Sequence, residues 1–345
     1  MTGRSSGWRA LALFGVFAIS ALPTGQTDAS SAADSRAERI RRVESELLPI
    51  TASRAQLGQY ANVRDRMRAY GVPGISIAVI NNGHIDWAKG YGLSDVTTGT
   101  AVTPDTFFQA ASISKPLAAL GALILVEQGK LGLDTDVNQY LQQWKVPTNQ
   151  TTQLHPVTLR TLLDHSSGLT DVAFPSYPPG KATTTPLQTL KAFSADIRVE
   201  TVPGRQYNYT ATAFLVLQKL MEDVTKTPFA QYMQSQVLRP LDMAHSTYDE
   251  PLPPSLLKSA AVGYYAGGTP LPGGYQYGPV SAAAGLWATP SDLARYVIEL
   301  QQDYAGKQHG LLSPPMARQM LTTQIAYRGL GLVMSGNGDD IRFGH

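Results

Sequence analysis

Residues 108–129 read FQAASISKPLAALGALILVEQG and place a Ser-x-x-Lys motif, Ser112 to Lys115, at the start of a long apolar segment. Apolar residues recur at helical spacing after Pro116, and Gly129 ends the pattern, which predicts a helix that begins beside the motif. Proline is tolerated in the first turn of a helix but not in its interior. Ser112 is therefore predicted to lie at a helix N-terminus, with Lys115 on the same face one turn later.

The Ser112–Lys115 pair has two interpretations. In the first, Ser112 is a nucleophile and Lys115 its base, because free N–H groups at a helix N-terminus favour negative charge and burial can deprotonate a lysine. In the second, Ser112 caps the helix and Lys115 is solvated. This segment alone favours neither. Another Ser-x-x-Lys match, Ser255 to Lys258, lies among prolines where a loop enters a short helix, and we interpret it as a chance match.

In the segments that precede the motif, the spacing of apolar residues changes from one typical of helices to one typical of strands. Residues 36–48 and 57–70 predict two amphipathic helices packed against a core. Their apolar faces would carry Ile40, Val43, Leu47 and Leu48, and then Leu57, Tyr60, Val63, Met67 and Tyr70. Residues 74–92, GISIAVINNGHIDWAKGYG, predict two strands joined by a tight turn at Asn81, Asn82 and Gly83.

Composition narrows the class of protein. With 345 residues and 43% hydrophobic content, the chain can bury a sizeable globular core. The formal charge is +2 and no block of like charge occurs, which excludes nucleic acid as an expected partner. The chain has no cysteine, hence no disulfide or thiolate chemistry. Phosphate-binding and metal-binding motifs are absent, so we expect neither a cofactor nor a metal.

The first residues of the chain have the pattern of a secretory signal. Arg4 and Arg9 precede an apolar run at 10–22, ALALFGVFAISAL, which is too short to span a bilayer. We expect a signal peptide over residues 1–29, with cleavage after Ala21, Ala29 or Ala32, and a polar lead-in over residues 30–39. The sequence therefore predicts a periplasmic or secreted protein without a transmembrane segment after cleavage.

Four further segments follow the motif in a fixed order: LGLDTDVNQYL at 131–141, VTLRTLLDHSSGL at 157–169, PGRQYNYTATAF at 203–214 and GPVSAAAGLWATPSDLARY at 278–296. With the Ser112 motif they give residues 40–345 a resemblance to serine β-lactamases of the class C type and to the related penicillin-binding proteins, esterases and D-peptidases. The resemblance implies an α/β fold in which residues 40–100 and 285–345 carry an antiparallel sheet flanked by helices. A mostly helical region lies between, and the active site lies at the junction.

The resemblance also implies roles for single residues. Ser112 matches the acylated nucleophile, Lys115 the lysine of the first conserved box and Tyr209 the catalytic tyrosine of the second. The implied activity is hydrolysis of an ester, amide or β-lactam carbonyl through an acyl-enzyme. The substrate would be a small molecule or a peptide, including peptidoglycan-derived ones. The histidine of DHSSGL, His165, matches a residue that shapes the wall of the site without acting as its base.

Two departures from the family pattern support an alternative. Ala211 stands where the second box has an asparagine that hydrogen-bonds the lysine and a β-lactam side chain, and alanine cannot make those bonds. His345 matches the first residue of the third box, and we expect the rest of that box and a covering helix to be missing, which would impair activity. The alternative is a catalytically impaired penicillin-binding-like protein that binds cell-wall peptides without turnover.

Overall fold

The computed structural model describes residues 35–47, 61–307, 309–336 and 338–345. The predicted signal peptide lies outside these ranges, as do Leu48, Leu57 and Tyr60 of the two predicted amphipathic faces. In the part of the chain that the structure describes, no helix has both the length and the apolar character needed to cross a membrane.

The N-terminal portion forms an antiparallel sheet preceded by two helices. The helices are α1 (Arg36–Ser45) and α2 (Val63–Tyr70), and the strands are β1 (Gly74–Asn81), β2 (His84–Asp95) and β3 (Thr100–Ala101), in the order β1-β2-β3. Asn82 and Gly83 join β1 to β2 with φ angles of 51° and 73°. Both angles are positive, as a tight hairpin turn requires, so the predicted hairpin is confirmed.

The prediction that both N-terminal helices pack against a core is only partly correct. Val63 is the buried residue of α2, and Tyr70 of the same helix is 52% exposed. Helix α1 contains no buried residue. It is held to β2 by polar contacts instead: Arg39 pairs with Asp86, and Glu44 accepts hydrogen bonds from Lys89 and Tyr91. The physical reason is composition, because arginine and glutamate outnumber the apolar residues of α1.

The central region is mostly helical, as expected. Its helices are α3 (Ser114–Glu127), α4 (Gln150–Leu154), α5 (Leu159–Leu163), α6 (Pro186–Ala192), α7 (Ala211–Thr225), α8 (Phe229–Met233) and α9 (Ser281–Ala284). Three short strands, β4 (Phe108–Gln109), β5 (Ser246–Thr247) and β6 (Trp287–Ala288), form a second sheet in the order β4-β6-β5. This sheet brings residues before α3 next to residues after α9.

The C-terminal portion returns to the first sheet. Helix α10 (Pro290–Ala305) packs across β1 and β2 and is followed by α11 (Pro314–Met320). The strands β7 (Val333–Ser335) and β8 (Arg342–Gly344) pair with each other and make a separate two-stranded sheet. The chain therefore has helices on an antiparallel sheet with a helical region between, and the predicted α/β fold class is confirmed.

Helix α3 is the centre of the core. Every residue from Ser114 to Leu125 is buried, so this helix is covered on all sides rather than along one stripe. Helix α7 packs beside it and contacts α5, α6 and α9 as well. Each fully buried leucine stabilises the fold by about 1.5 to 3 kcal/mol relative to an exposed one. The N-terminal ends of α3 and α7 are thus fixed next to each other, and the candidate site lies there.

Candidate active site

Ser112 lies in a tight turn between β4 and α3. Residues Ala111–Ile113 form one turn of 3-10 helix, and α3 begins at Ser114, so Ser112 precedes the α-helix by two residues rather than opening it. Ala111 has a φ of 45°, a left-handed conformation that costs energy for a non-glycine residue. Ser114 holds the turn, because its Oγ donates to Ala111 O at 2.6 Å and accepts from Leu286 N at 2.9 Å.

Lys115 is buried directly beside Ser112. Its side chain is 2% exposed, and Nζ lies 3.1 Å from Ser112 Oγ and 3.0 Å from Ala283 O. No carboxylate within the described ranges forms an ion pair with it. Burial, assisted by the positive charge of Arg328 and opposed by Asp171, lowers the pKa of Lys115 to about 7. The predicted proximity of the two side chains is therefore observed.

Tyr209 completes a three-residue cluster with Ser112 and Lys115. It lies two residues before α7, where Thr210 caps the helix by accepting from Thr212 N at 3.0 Å. Its Oη donates to Ser112 Oγ at 2.9 Å, and Lys115 Nζ lies 4.8 Å from the centre of its ring. Burial raises the pKa of Tyr209, although the hydrogen bond to Ser112 opposes that shift. Tyr209 is therefore a neutral phenol at pH 7.

Two histidines flank the ring of Tyr209. His345 Nε2 lies 3.3 Å from Tyr209 Oη, so the structure brings this C-terminal residue to the cluster. His165 stacks on the tyrosine with ring centres 4.4 Å apart, and its Nδ1 accepts from Thr210 N at 3.4 Å. Burial lowers the pKa of His165 to about 2 and that of His345 to about 3. Both imidazoles are neutral at pH 7, and His165 packs against the ring of Tyr209.

Arg328 belongs to the same cluster, and sequence reasoning missed it. It is 7% exposed, and its guanidinium carbon lies 5.1, 5.3 and 5.2 Å from the ring centres of Tyr207, Tyr209 and Tyr327, which we call the tyrosine cage. Nη2 donates to Tyr207 Oη at 2.8 Å, whereas Nε and Nη1 have no hydrogen-bond partner within the described ranges. Nothing in a single sequence marks an arginine in a loop as part of a site more than 200 positions from Ser112.

Asp171 and Ala211 meet at the start of α7. Ala211 is the first residue of α7, and its N–H donates to Asp171 Oδ1 at 3.1 Å. Asp171 is exposed, and its negative charge raises the pKa of both Lys115 and Tyr209 against the effect of Arg328. Sequence reasoning missed Asp171 as well, since the stretch after residue 169 follows no regular period.

The other residues considered from the sequence lie elsewhere. Ser255 and Lys258 are exposed beside a short 3-10 turn, as expected for a chance match. Over the described ranges, no group of three or more His, Asp or Glu residues has an arrangement that could hold a metal ion.

Comparison with known proteins gives one family and several relatives. The family model described as Beta-lactamase matches residues 61–338. The chain is similar to Protein flp of Staphylococcus aureus (strain N315), at 28% identity over 255 residues, 73% of this chain and 48% of that protein. It is also similar to a teichoic acid D-alanine hydrolase of Staphylococcus aureus, at 27% identity over 252 residues, 71% of this chain and 57% of that protein. The chain thus spans about half the length of these relatives.

Two solved structures share the fold. The octameric penicillin-binding protein homologue from Pyrococcus abyssi has a TM-score of 0.66 at 27% identity and covers 79% of this chain and 63% of its own. EstCE1, a hydrolase with promiscuous acyltransferase activity, has a TM-score of 0.63 at 21% identity, over 79% of this chain and 80% of its own. At that identity the second likeness concerns the fold alone.

Proposed function

The chain belongs to the Beta-lactamase family, and on that premise we propose that it is a serine hydrolase that cleaves an ester through an acyl-enzyme on Ser112. In this proposal Ser112 is the nucleophile, Lys115 is its base, and Tyr209 transfers protons between the nucleophile and the leaving group. In the same proposal His345 is the first residue of a third box and contacts the substrate.

One observation carries the proposal: Lys115 is a buried lysine in contact with Ser112 Oγ and without a carboxylate partner. A lysine of ordinary pKa would be protonated at pH 7 and could not accept a proton from serine. With a pKa of about 7, roughly half of the Lys115 side chains are neutral amines at neutral pH. A solvated lysine beside a helix-capping serine would be neither buried nor lowered in pKa.

The acylation step follows from the contacts. Ser112 Oγ forms a bond to the carbonyl carbon while neutral Lys115, 3.1 Å away, takes the hydroxyl proton. The tetrahedral oxyanion accepts a hydrogen bond from the Ser112 N–H at the start of the helical segment. The bond between carbon and the leaving alkoxide then breaks, and the alkoxide takes a proton from Tyr209 Oη. The tyrosine regains its proton from the ammonium of Lys115, whose Nζ lies over the same ring.

Deacylation uses the same groups in reverse order. Water attacks the acyl carbon and gives its proton to the neutral Lys115–Tyr209 pair. The bond between the carbon and Ser112 Oγ then breaks, the acid leaves, and Ser112 recovers its proton. No net charge is gained or lost over the cycle. Because the two groups contact one another, they titrate together rather than independently.

An ester is the favoured substrate class for two reasons. Ala211 offers no side-chain amide to a β-lactam or peptide acyl group, so the binding of such groups lacks one pair of hydrogen bonds. One relative is named a teichoic acid D-alanine hydrolase. A simple acyl ester fits both considerations, and amides and β-lactams are the alternatives that the experiment below separates.

The absence of that amide also favours a second candidate, a penicillin-binding-like protein that binds cell-wall peptides without turnover. Its site would keep the fold and the burial of Lys115 but would hold the ligand non-covalently. Such a protein would bind a peptidoglycan-derived peptide and give no adduct at Ser112.

The test is intact-mass spectrometry of the purified protein after reaction with a fluorophosphonate and, separately, with a penicillin. We expect one fluorophosphonate adduct, mapped to Ser112 by peptide sequencing, and its loss in Ser112→Ala. Ser255→Ala is the matched control, because Ser255 starts the other Ser-x-x-Lys match and is exposed, and it should label normally. A folded protein without an adduct from either probe would refute the hydrolase and favour the binding protein.

The proposal includes export. Residues 1–29 lie outside the described ranges, and the proposal rests on the two arginines and the short apolar run that follows them. Export would place the hydrolase in the periplasm or outside the cell, where peptidoglycan-derived peptides and cell-surface acyl esters are accessible.

A further inference from the structure

We propose that Asp171 makes the site selective for acyl groups that carry an ammonium group, such as aminoacyl esters. This inference rests on the proposed function and narrows its substrate class. It concerns a residue that takes no part in the proton transfers described above: Asp171 would contact the substrate and leave the chemistry to Ser112, Lys115 and Tyr209.

The position of Asp171 is fixed by the start of α7. Thr210 Oγ1 donates to Thr170 O at 3.3 Å, and Val172 N donates to Thr212 Oγ1 at 3.1 Å. Between these two contacts, Ala211 N donates to Asp171 Oδ1 at 3.1 Å. Tyr209, whose Oη donates to Ser112 Oγ, lies two residues before Ala211. The contacts at the start of α7 therefore hold Asp171 in a fixed position relative to this tyrosine.

The charges around the cluster differ in accessibility. Arg328 and Asp171 are the charged side chains that act on both Lys115 and Tyr209. Arg328 is 7% exposed and covered by the tyrosine cage, whereas Asp171 is exposed. A substrate that arrives from solvent therefore meets the carboxylate and not the guanidinium. Cationic groups are attracted to this side of the site, and a carboxylate such as that of a penicillin is repelled.

The site has hydrogen-bonding capacity left for such a group. An ionised carboxylate can accept about four hydrogen bonds, and the one from Ala211 N occupies part of Oδ1 alone. Ala211 has no side chain beyond Cβ, so no amide competes for the carboxylate at the first turn of α7. Hydrogen bonds between a carboxylate and an ammonium are among the stronger ones in proteins. Asp171 can thus receive the ammonium of an acyl group bound near Ser112.

The experiment compares two esters of one alcohol that differ only in the ammonium group: the D-alanyl ester and the propanoyl ester. The quantity measured at pH 7 is the ratio of their kcat/KM values for the wild-type protein, Asp171→Asn and Asp196→Asn. Asparagine keeps the oxygen that accepts from Ala211 N and removes the charge. Asp196 is an exposed aspartate whose main-chain oxygen accepts from Thr170 in the same region, which makes it a matched control.

We expect the wild-type protein to prefer the D-alanyl ester, and Asp171→Asn to lower the ratio about ten- to a hundredfold, the usual effect of losing a hydrogen bond to a charged group. Asp196→Asn should keep the wild-type ratio, Asp171→Glu should restore part of the preference, and salt should weaken it. A ratio unchanged in Asp171→Asn, in a protein that still hydrolyses both esters, would overturn the inference and leave the hydrolase intact. Failure to hydrolyse either ester, with no adduct at Ser112, would refute the hydrolase and this inference with it.

Discussion

At the scale of single residues, the charge of Lys115 decides what the cluster can do. Burial removes water from the ammonium, and the guanidinium of Arg328 adds repulsion, so the neutral amine is populated near pH 7. The guanidinium is in turn stabilised by the faces of three tyrosines, and among the residues that the structure describes no carboxylate forms an ion pair with it. A carboxylate partner would cancel its effect on Lys115. The tyrosine cage therefore keeps the positive charge buried without neutralising it.

The first prediction concerns the pH dependence of hydrolysis. The base must be neutral, so kcat/KM of the wild-type protein should fall as pH drops below about 7, where Lys115 gains its proton. Arg328→Gln removes a positive charge, which raises the pKa of Lys115 and moves this acid limb to higher pH. At pH 7 activity should fall about three- to tenfold and should recover at alkaline pH. The measurement is a profile of kcat/KM against pH.

Two further variants control for structural damage at Arg328. Arg328→Lys keeps the charge and should keep the acid limb near its wild-type position. Arg318→Gln removes an exposed arginine from α11 and should leave the profile unchanged. If Arg328→Gln lowered activity equally at every pH, the electrostatic role of this residue would be wrong.

Residues of the cluster differ in how far the sequence predicts them. The proximity of Ser112 and Lys115 follows from the local spacing of one motif, whereas Tyr209, 97 residues from Ser112 in the chain, is assigned to the same site only through the family resemblance. Arg328 and Asp171 enter the cluster only through the tertiary fold, and each lies in a segment without regular periodicity. A single sequence contains no signal that joins such a residue to a motif far along the chain. Only the three-dimensional structure shows that these two residues lie beside Ser112, Lys115 and Tyr209.

At the scale of elements, the position of α3 depends on a close contact with the loop before β7. Gly331 has a φ of 85°, and a Cβ at this position would lie 2.5 Å from Ala119 Cβ on α3 and 3.6 Å from Lys115 O. Such a distance is far below van der Waals contact, so any side chain here would displace the helix or the loop. Ala119 lies one turn after Lys115 on α3. The contact with Gly331 therefore helps to hold this turn of the helix, and with it Lys115, in position beside Ser112.

The second prediction follows from that contact. Gly331→Ala should lower the free energy of unfolding by about 2 to 4 kcal/mol, since it adds a clash to an unfavourable backbone conformation. Gly180→Ala is the matched control: Gly180 has the same φ of 85° but no heavy atom within 4 Å of its Cβ position. It should cost about 1 kcal/mol. Urea denaturation of both variants measures the difference, and equal losses would exclude the clash as the cause.

Elements were predicted most reliably where periodicity and turn chemistry agree. The β1–β2 hairpin and α3 follow from Asn82-Gly83 and from a long apolar period, and the structure confirms them. The predicted boundaries were less accurate. The sequence predicts Ser112 at the N-terminus of the helix, whereas Ala111–Ile113 forms a separate 3-10 turn and α3 begins at Ser114. The apolar face of α1 was overestimated, because a few apolar positions among many charges are only partly covered. Ion pairs with β2 that hold α1 are tertiary contacts which local patterning does not encode.

At the scale of the whole molecule, the proposed hydrolase consists of a folded region and, before it, a segment with the sequence pattern of a secretory signal. The described fold begins with α1, which contacts β2 through exposed and half-buried ion pairs that are individually worth about 1 kcal/mol or less. The predicted signal peptide and the first part of the predicted polar lead-in precede it, whereas residues 36–39 of the lead-in belong to α1. None of the residues that hold α1 to β2 belongs to the candidate site, so processing ahead of α1 should leave the chemistry unaffected.

The third prediction concerns export. Expressed in a bacterial host with an active secretion system, the protein should be recovered outside the cytoplasm with its N-terminus after Ala21, Ala29 or Ala32, as read by intact mass. Leu13→Arg interrupts the apolar run and should retain the uncleaved chain in the cytoplasm. Leu257→Arg, a change of the same type at an exposed position of the fold, should not prevent cleavage. Recovery of the uncleaved wild-type chain outside the cytoplasm would contradict the signal peptide.

The cluster draws its members from widely separated parts of the chain, from Ser112 to His345. In an unfolded chain Lys115 is solvated, Arg328 is remote, and Ser112 is an ordinary alcohol. The proposed nucleophile is thus activated only in a chain whose long-range contacts have formed. A reagent specific for Ser112 would therefore count correctly assembled molecules, so that labelling of this serine would serve as an assay of folding yield.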